Sequence, residues 1–403
     1  MDTGNNAWVL TSAALILFMT PGLAFFYGGM VRSKSVLGML MQNVFAMGLI
    51  SVIWAVLGFS LAFGGDHSLL GNLDYAFMND VATAELPPIG MTYFAFQMMF
   101  AVITPALITG ATADRLKFSS YALFIALWSL VVYSPVAHWV WDGGGWIFDM
   151  GALDFAGGAA IHINAGIAAL AVVAVIGQRR GHGSEPMPPH NLPLTVLGTG
   201  ILWFGWFGFN AGSALAADGI AGQALVNTHL AAAAAMLGWL IVERIKTGHA
   251  TTLGACSGAV AGLVAITPCA GYVGDMSPIF IGLIAGVVCY LALFIKGALR
   301  LDDSLDVIAV HLIGGLVGTL AVGFFADSAI NPVSVVEEGI FYGGSGELLK
   351  DQAVAAFGVM AFSGIVTYLI AFAIERTVGL RVTVDDELTG LDQSQHAESA
   401  YQA

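Results

Sequence analysis

The sequence predicts an all-α integral membrane protein with eleven transmembrane helices, its N-terminus outside and its C-terminus in the cytoplasm. Three observations carry that prediction. Of the 403 residues, 58% are hydrophobic and only 10% are charged, whereas a soluble domain carries roughly 25% charged residues. The apolar residues fall into eleven runs, each close to the roughly 20 residues that cross a bilayer. All but one of the 13 Lys and Arg residues lie after odd-numbered runs.

In chain order the runs are 7–31, 36–63, 91–113, 119–141, 157–177, 193–215, 222–243, 251–272, 278–296, 305–326 and 351–375. Arg32 and Lys34 follow the first, Arg115 and Lys117 the third, and Arg179 and Arg180 the fifth. Arg244 and Lys246 follow the seventh, Lys296 and Arg300 the ninth, and Arg376 and Arg381 the eleventh; Lys350 alone lies on the other side. Basic residues stay in the cytoplasm, which fixes the orientation. A missed span would move every later basic pair to the opposite face, so the regularity also checks the count.

The opposite loops are acidic, with Asp66, Asp74, Asp80, Glu85, Asp142, Asp149, Asp218, Asp275, Glu337, Glu338 and Glu347. Such a surface either concentrates a cation or is an ordinary solvated face. The net charge of −14 argues against nucleic acid as a partner. Cys256, Cys269 and Cys289 all sit inside apolar runs, as small buried hydrophobes do. The opening Met1-Asp2-Thr3 has no basic stretch, so the first run is expected to insert uncleaved.

Runs one to five and six to ten form two halves of odd number, and repeats of odd number lie inverted in the membrane. Such repeats place a transported substrate near the midplane between the halves. The division is 1–178 for the first repeat, 179–192 for a cytoplasmic loop and 193–327 for the second repeat. An extracellular loop at 328–350, an eleventh helix at 351–375 and a cytoplasmic tail at 376–403 complete the chain. The halves share a pattern: Asp154 precedes His162 by eight residues, and Asp303 precedes His311 by eight. Ala165-Gly166 and Gly314-Gly315 follow the two histidines, small residues that let helices pack closely.

An ionisable group at mid-span is costly and usually faces a cavity or a partner. Two at matching positions of two repeats favour function over a satisfied structural role. Neutral imidazole has one donor and one acceptor nitrogen, so two facing rings can share a hydrogen bond, offer a spare nitrogen to a small polar molecule, or relay a proton. A metal centre would need further ligands, and no mid-span Cys, Glu or third His obviously pairs with these two; no cofactor or metal is expected. Asp154 reads as a helix cap rather than a cation ligand, and Asp303 and Asp306 as its counterparts at the cytoplasmic end. No nucleophile, base and orienting group accompany the histidines, so an enzyme is not expected.

At these residues the chain resembles the ammonium transporter family, which includes the methylammonium permeases and is related to the Rh proteins. The matching segments are Pro21 to Gly29, Asp154-Phe155-Ala156-Gly157-Gly158 through His162, Trp203 to Ser213, Leu253 to Ala259, Thr267-Pro268, and Asp302-Asp303 through His311. The resemblance runs from residue 7 into the tail, through Val378-Gly379-Leu380-Arg381-Val382. Eleven spans and many aromatics place it on the ammonium transporter side of that relationship rather than the Rh side.

The resemblance implies a homotrimer in the cell (inner) membrane with one narrow hydrophobic pore per subunit and ammonium, with methylammonium as an analogue, for substrate. It implies an outer recruitment site at Trp141, Ser213 and Phe100, and a gate of stacked Phe100 and Phe209. It further implies a pore past His162, His311 and Thr267, with Asp154 and Asp303 close by in structural roles. Between Trp141 and Asp154 the chain is a residue longer than the bacterial pattern, so Trp139 and Trp146 compete with Trp141. A polar tail such as 376–403 is either disordered or, as in the family, couples subunits and meets a PII-type regulatory protein. The expected function is recruitment and deprotonation of NH4+ and conduction of NH3, alone or with a relayed proton; the alternative is an ammonium sensor that conducts little.

Overall fold

Apolar runs too long to remain in water fold into helices that satisfy their own backbone hydrogen bonds, the requirement for crossing hydrocarbon. The computed structural model describes residues 2–83 and 90–401; Met1, Glu85 and the last two residues of the tail lie outside the described residues. Among the described residues, ten helices are long and apolar enough to span a membrane, and an eleventh, shorter one is also apolar. They are α1 (Thr3–Met30), α2 (Ser33–Phe63), α3 (Gly90–Thr112), α4 (Phe118–Asp149), α5 (Gly158–Ile176) and α6 (Leu192–Gly212). Then come α7 (Gly219–Thr247), α8 (Thr252–Ile266), α9 (Ser277–Ala298), α10 (Ile308–Phe325) and α11 (Glu347–Thr377). Among the described residues there is no strand, only an isolated bridge between Leu116 and Arg381.

Helix α8 stops at Ile266, six residues short of the 251–272 run. Pro268 has no N–H to continue the ladder, and its carbonyl instead accepts from Phe155 N at 3.2 Å. The chain then runs through turns to α9. Helix α4 is continuous to Trp141, turns at 142–145 and adds a last helical turn at Trp146–Asp149. Four stretches widen to π-helical turns, and two of these hold the histidines: Gly158–Ile163 with His162 and Ile308–Ile313 with His311. Such turns re-aim side chains and recur at functional sites.

Glycine sets how closely the helices approach. A Cβ at Gly198 of α6 would lie 2.2 Å from Phe26 N of α1, and one at Gly205 would lie 2.2 Å from Met19 Cγ. Helices α1 and α6 therefore pack backbone to backbone. At the crossing of α5 and α10, a Cβ at Gly166 would lie 2.4 Å from Leu312 N. That contact is what brings His162 and His311 face to face.

The helix ends on the face that carries the tail are tied by ion pairs to buried carboxylates. Arg32 meets Asp114 at 2.9 Å, and Arg179 meets Asp302 at 2.7 Å and Asp114 at 3.6 Å. Fully buried Arg115 donates to Gly177 O, to Ser304 Oγ and to Asp302 O, joining the ends of α3, α5 and the entry to α10. Onto this face folds the tail, with helices α12 (Val384–Thr389) and α13 (Leu391–His396). Leu380 O accepts from Lys117 N, Arg381 pairs with Glu387 at 2.6 Å, and Asp392 Oδ1 accepts from Gly38 N at 2.8 Å. The tail is thus an ordered, docked element, because its polar groups find partners on the loops after α1, α3 and α5.

Two adjacent carboxyls in this region respond to pH in opposite senses. Burial pushes Asp303 up to about 6, with Lys296 opposing and Asp306 adding to the rise. Burial acts on Asp302 in the same direction, but Arg179 and Arg115 overcome it and hold that carboxyl at about 2. A raised carboxyl contributes stability that is present below its unfolded value and is lost as pH rises through 6. A depressed one contributes stability present above its unfolded value and lost as pH falls toward 2. The detergent-solubilised protein is therefore expected to gain thermal stability as pH falls from about 6 to about 4 and to lose it below about 4, each change on the order of 2–3 kcal/mol. In thermal melts, Asp303→Asn should remove the rise between pH 4 and 6 and leave the acid-side loss in place.

Candidate functional site

Many polar side chains are buried in the bundle, and two of them are histidines that face each other. His162 and His311 are 1% and 3% exposed and meet with Nδ1 atoms 3.2 Å apart. The rings are nearly parallel, with centroids 5.3 Å apart and planes 21° from each other. One Nδ1 donates to the other, so within the pair one imidazole keeps its remaining proton at Nε2 and the other keeps a bare Nε2. His162 Nε2 has no partner among the described residues. The narrow lumen around the pair is otherwise apolar, walled by Met19, Leu23, Phe26, Ile103, Leu107 and Ile161.

The local fold explains how each histidine is held. Asp154 Oδ1 accepts from Gly157 N and Gly158 N at 2.8 and 2.6 Å, and Oδ2 accepts from Ala159 N and Ala160 N at 2.8 and 3.0 Å. One carboxylate thus takes four N–H groups at the start of the turn that carries His162, where helix N-termini favour negative charge. At the other end, Asp303 accepts from Val307 N and Ile308 N at 3.1 and 2.7 Å, at the start of the turn that carries His311. Asp306 instead pairs with Lys296.

Above the lumen, Phe100 and Phe209 pack against each other with ring centroids 4.5 Å apart and planes tilted by 43°, rather than stacked in parallel. Beyond them opens a vestibule of about 400 Å³, whose walls include Phe100, Trp141, Ser213 and Asp154. Trp141 sets its ring edge-on to Phe100 at 5.9 Å and donates Nε1–H to Asp154 O at 3.0 Å. Ser213 Oγ donates to Phe209 O at 2.9 Å, leaving its lone pairs for a ligand. Of the competing tryptophans, Trp139 and Trp146 pack on each other at 5.6 Å, and Trp139 donates to Leu69 O; Trp141 is the one in the vestibule wall.

Thr267 is fully buried and lies behind the lumen wall rather than in it. Its hydroxyl donates to Leu263 O and accepts from Trp206 Nε1 at 2.9 Å. Trp206 is the residue that sequence reasoning did not single out. Its ring lies 5.5 Å from His162 with planes 20° apart, so it forms one wall of the histidine site and fixes the imidazole plane. The available signal was its place three residues before Phe209, one turn along α6 on the same face. No group of three or more His, Cys, Asp or Glu with metal-binding geometry occurs among the described residues, and the three cysteines are buried and free.

The arrangement joins an aromatic-walled vestibule to a narrow apolar lumen through a pair of packed phenylalanine rings. At the mouth, π faces and a hydroxyl can replace part of a small cation's water. In the lumen, only a small, uncharged solute avoids the full desolvation cost, and the paired imidazoles give it polar contacts.

Known proteins share this architecture and its sequence. The model of the Ammonium Transporter Family matches residues 7–401. An ammonium transporter of Mycobacterium tuberculosis is 51% identical over 99% of this chain and 90% of that protein. Ammonium transporter Amt1 of Archaeoglobus fulgidus is 46% identical over the full length of both. Among solved structures, Candida albicans Mep2 superposes with a TM-score of 0.90 at 35% identity, covering 100% of this chain and 91% of that one. A protein described as a sensor Amt protein also superposes with a TM-score of 0.90, at 31% identity and 98% coverage of both chains. The chain is therefore a multi-pass membrane protein that belongs to the ammonium transporter family.

Proposed function

We propose that this chain conducts ammonium across a cell membrane, taking NH4+ from the outer vestibule and passing NH3 to the cytoplasm. The observation that carries the reading is the imidazole pair, hydrogen-bonded at 3.2 Å inside an apolar lumen and screened from the vestibule by Phe100 and Phe209. NH4+ is held between Phe100, Trp141 and Ser213 by cation–π contacts and a hydroxyl acceptor. Entering the dry lumen as an ion would cost several kcal/mol without full replacement of its water, so the proton leaves near the phenylalanine pair. NH3 then moves along His162 and His311, whose shared hydrogen bond gives it a donor and an acceptor and can relay the released proton.

The reading extends to the assembly and its setting. Three copies form the working unit in the inner membrane, with the N-terminus outside and residues 1–178 and 193–327 as inverted repeats. The docked tail, bonded to the loops after α1, α3 and α5, is the surface that a PII-type regulator meets. The named transporters among its relatives favour this function over enzymatic chemistry.

The similarity to a sensor Amt protein motivates a second reading, in which the chain binds ammonium and conducts little. Expression in cells that lack their own ammonium transporters separates the two. A conducting protein restores growth on low ammonium at acidic pH, where passive NH3 entry is slow. A membrane-inserted protein that fails to restore growth supports the sensor.

A further inference from the structure

An ammonium ion presents four N–H donors, and taking it from water demands an acceptor for each. In the recruitment reading, on which this inference rests, Ser213 Oγ and the faces of Phe100 and Trp141 take three. Trp141 adds no acceptor atom, since its indole N–H only donates, here to Asp154 O. The fourth place needs an oxygen in the vestibule wall that nothing else has claimed.

Gln97 meets that description. It lies on α3 one turn before Phe100, lines the vestibule, and is 6% exposed. Its Nε2 donates to Tyr93 OH at 3.0 Å, which fixes the carboxamide with its oxygen as the free end. Gln97 Oε1 is buried and has no hydrogen-bond partner. Among the described residues that line the vestibule, it is the one whose buried side-chain oxygen lacks a partner. A buried, unsatisfied acceptor is costly in the empty protein and calls for an explanation.

We propose that Gln97 Oε1 accepts the fourth N–H of the recruited ammonium ion, making Gln97 a specificity-determining residue that favours ammonium over methylammonium. Methylammonium has three N–H donors and a methyl group. It can fill the Ser213, Phe100 and Trp141 places, but its methyl then faces a carboxamide oxygen that stays unpaired. Sites that hydrogen-bond a substrate group reject an analogue lacking that group, because the site's own polar atom is left unsatisfied.

The test compares half-saturating concentrations of ammonium and methylammonium for the wild type, Gln97→Leu and Gln97→Glu in proteoliposomes. Gln97→Leu is expected to raise the ammonium value about tenfold or more and the methylammonium value by less than about threefold, compressing selectivity. Gln97→Glu keeps an acceptor at the same place and should retain the preference for ammonium. If Gln97→Leu does not insert, Gln97→Met keeps the side-chain length and reads the same ratio. Equal shifts for both cations, or no shift for either, would overturn the assignment. A wild type that moves neither cation would instead overturn the recruitment reading beneath it.

Discussion

Exchanging His162 and His311 together for alanine is expected to lower the rate of ammonium transport by about a hundredfold, with the protein still inserted and assembled. The lumen wall around the pair is otherwise apolar, so the double variant leaves a polar solute with no partner at mid-membrane. An unpartnered polar group in such surroundings costs on the order of 2–7 kcal/mol, and each 1.4 kcal/mol is tenfold in rate. The two residues share one hydrogen bond, so their effects should not add. Either single substitution strands the other imidazole's nitrogen, as costly as losing the pair's contribution. Initial rates of labelled methylammonium uptake by proteoliposomes check this. Single variants near wild-type rate would show that the pair neither guides the solute nor relays its proton.

The second large effect concerns Asp154, which does not touch the lumen wall near the histidines. Its carboxylate takes four N–H groups, all within 3.0 Å. Asp154→Ala takes the acceptor away from all four of those buried donors. Hydrogen bonds to a charged group contribute about 1.5–3 kcal/mol each, so the loss is of the order of a whole domain's net stability. The alanine variant is expected not to accumulate as folded protein. Asp154→Asn keeps one acceptor oxygen, and should fold at reduced thermal stability while moving ammonium at a lower rate. Monodispersity by size-exclusion chromatography together with a melting curve distinguishes these outcomes. A stable, fully active Asp154→Ala protein would show that the cap does not hold His162 in place.

Much of the fold was legible because a bilayer imposes a length rule that a one-dimensional sequence displays directly. Nine of the eleven expected runs correspond to helices whose ends fall within about four residues of the run; α4 continues past Trp141 through a turn to Asp149, and α8 stops short for a local cause. Leu263 to Tyr272 is apolar enough to extend α8, but Pro268 ends the helix and hands its carbonyl to Phe155. The paired Asp-to-His spacing was visible as sequence, whereas the π-helical turns that aim both rings inward were not. Nor was the close crossing of α5 and α10 at Gly166, a tertiary contact that no local pattern specifies.

The aromatic residues divide along the same line. Phe100, Phe209 and Trp141 came from the family resemblance rather than from spacing, because a Phe-rich membrane helix carries many equivalent rings. The turn at 142–145, closed by Gly145 N donating to Asp142 O at 2.9 Å, takes up length between Trp141 and Asp154. That turn is why counting residues left three tryptophans in competition. Gln97 drew no notice in sequence because an uncharged amide barely interrupts an apolar run. Its significance depends on a missing partner, which only the packed structure displays. The tail was ambiguous for the opposite reason: its polar composition suits disorder, while the bonds from Arg180 N to Glu387 and from Gly38 N to Asp392 depend on segments far away in sequence.

The most direct test of the conduction reading is the internal pH of proteoliposomes after an inward ammonium pulse, compared with empty liposomes of the same lipid. The account predicts faster internal alkalinisation with the wild-type protein, as NH3 arrives and takes up protons, and a return toward the empty-liposome rate in the double histidine variant. Correctly inserted, assembled wild-type protein that alkalinises the interior no faster than bare lipid would contradict it.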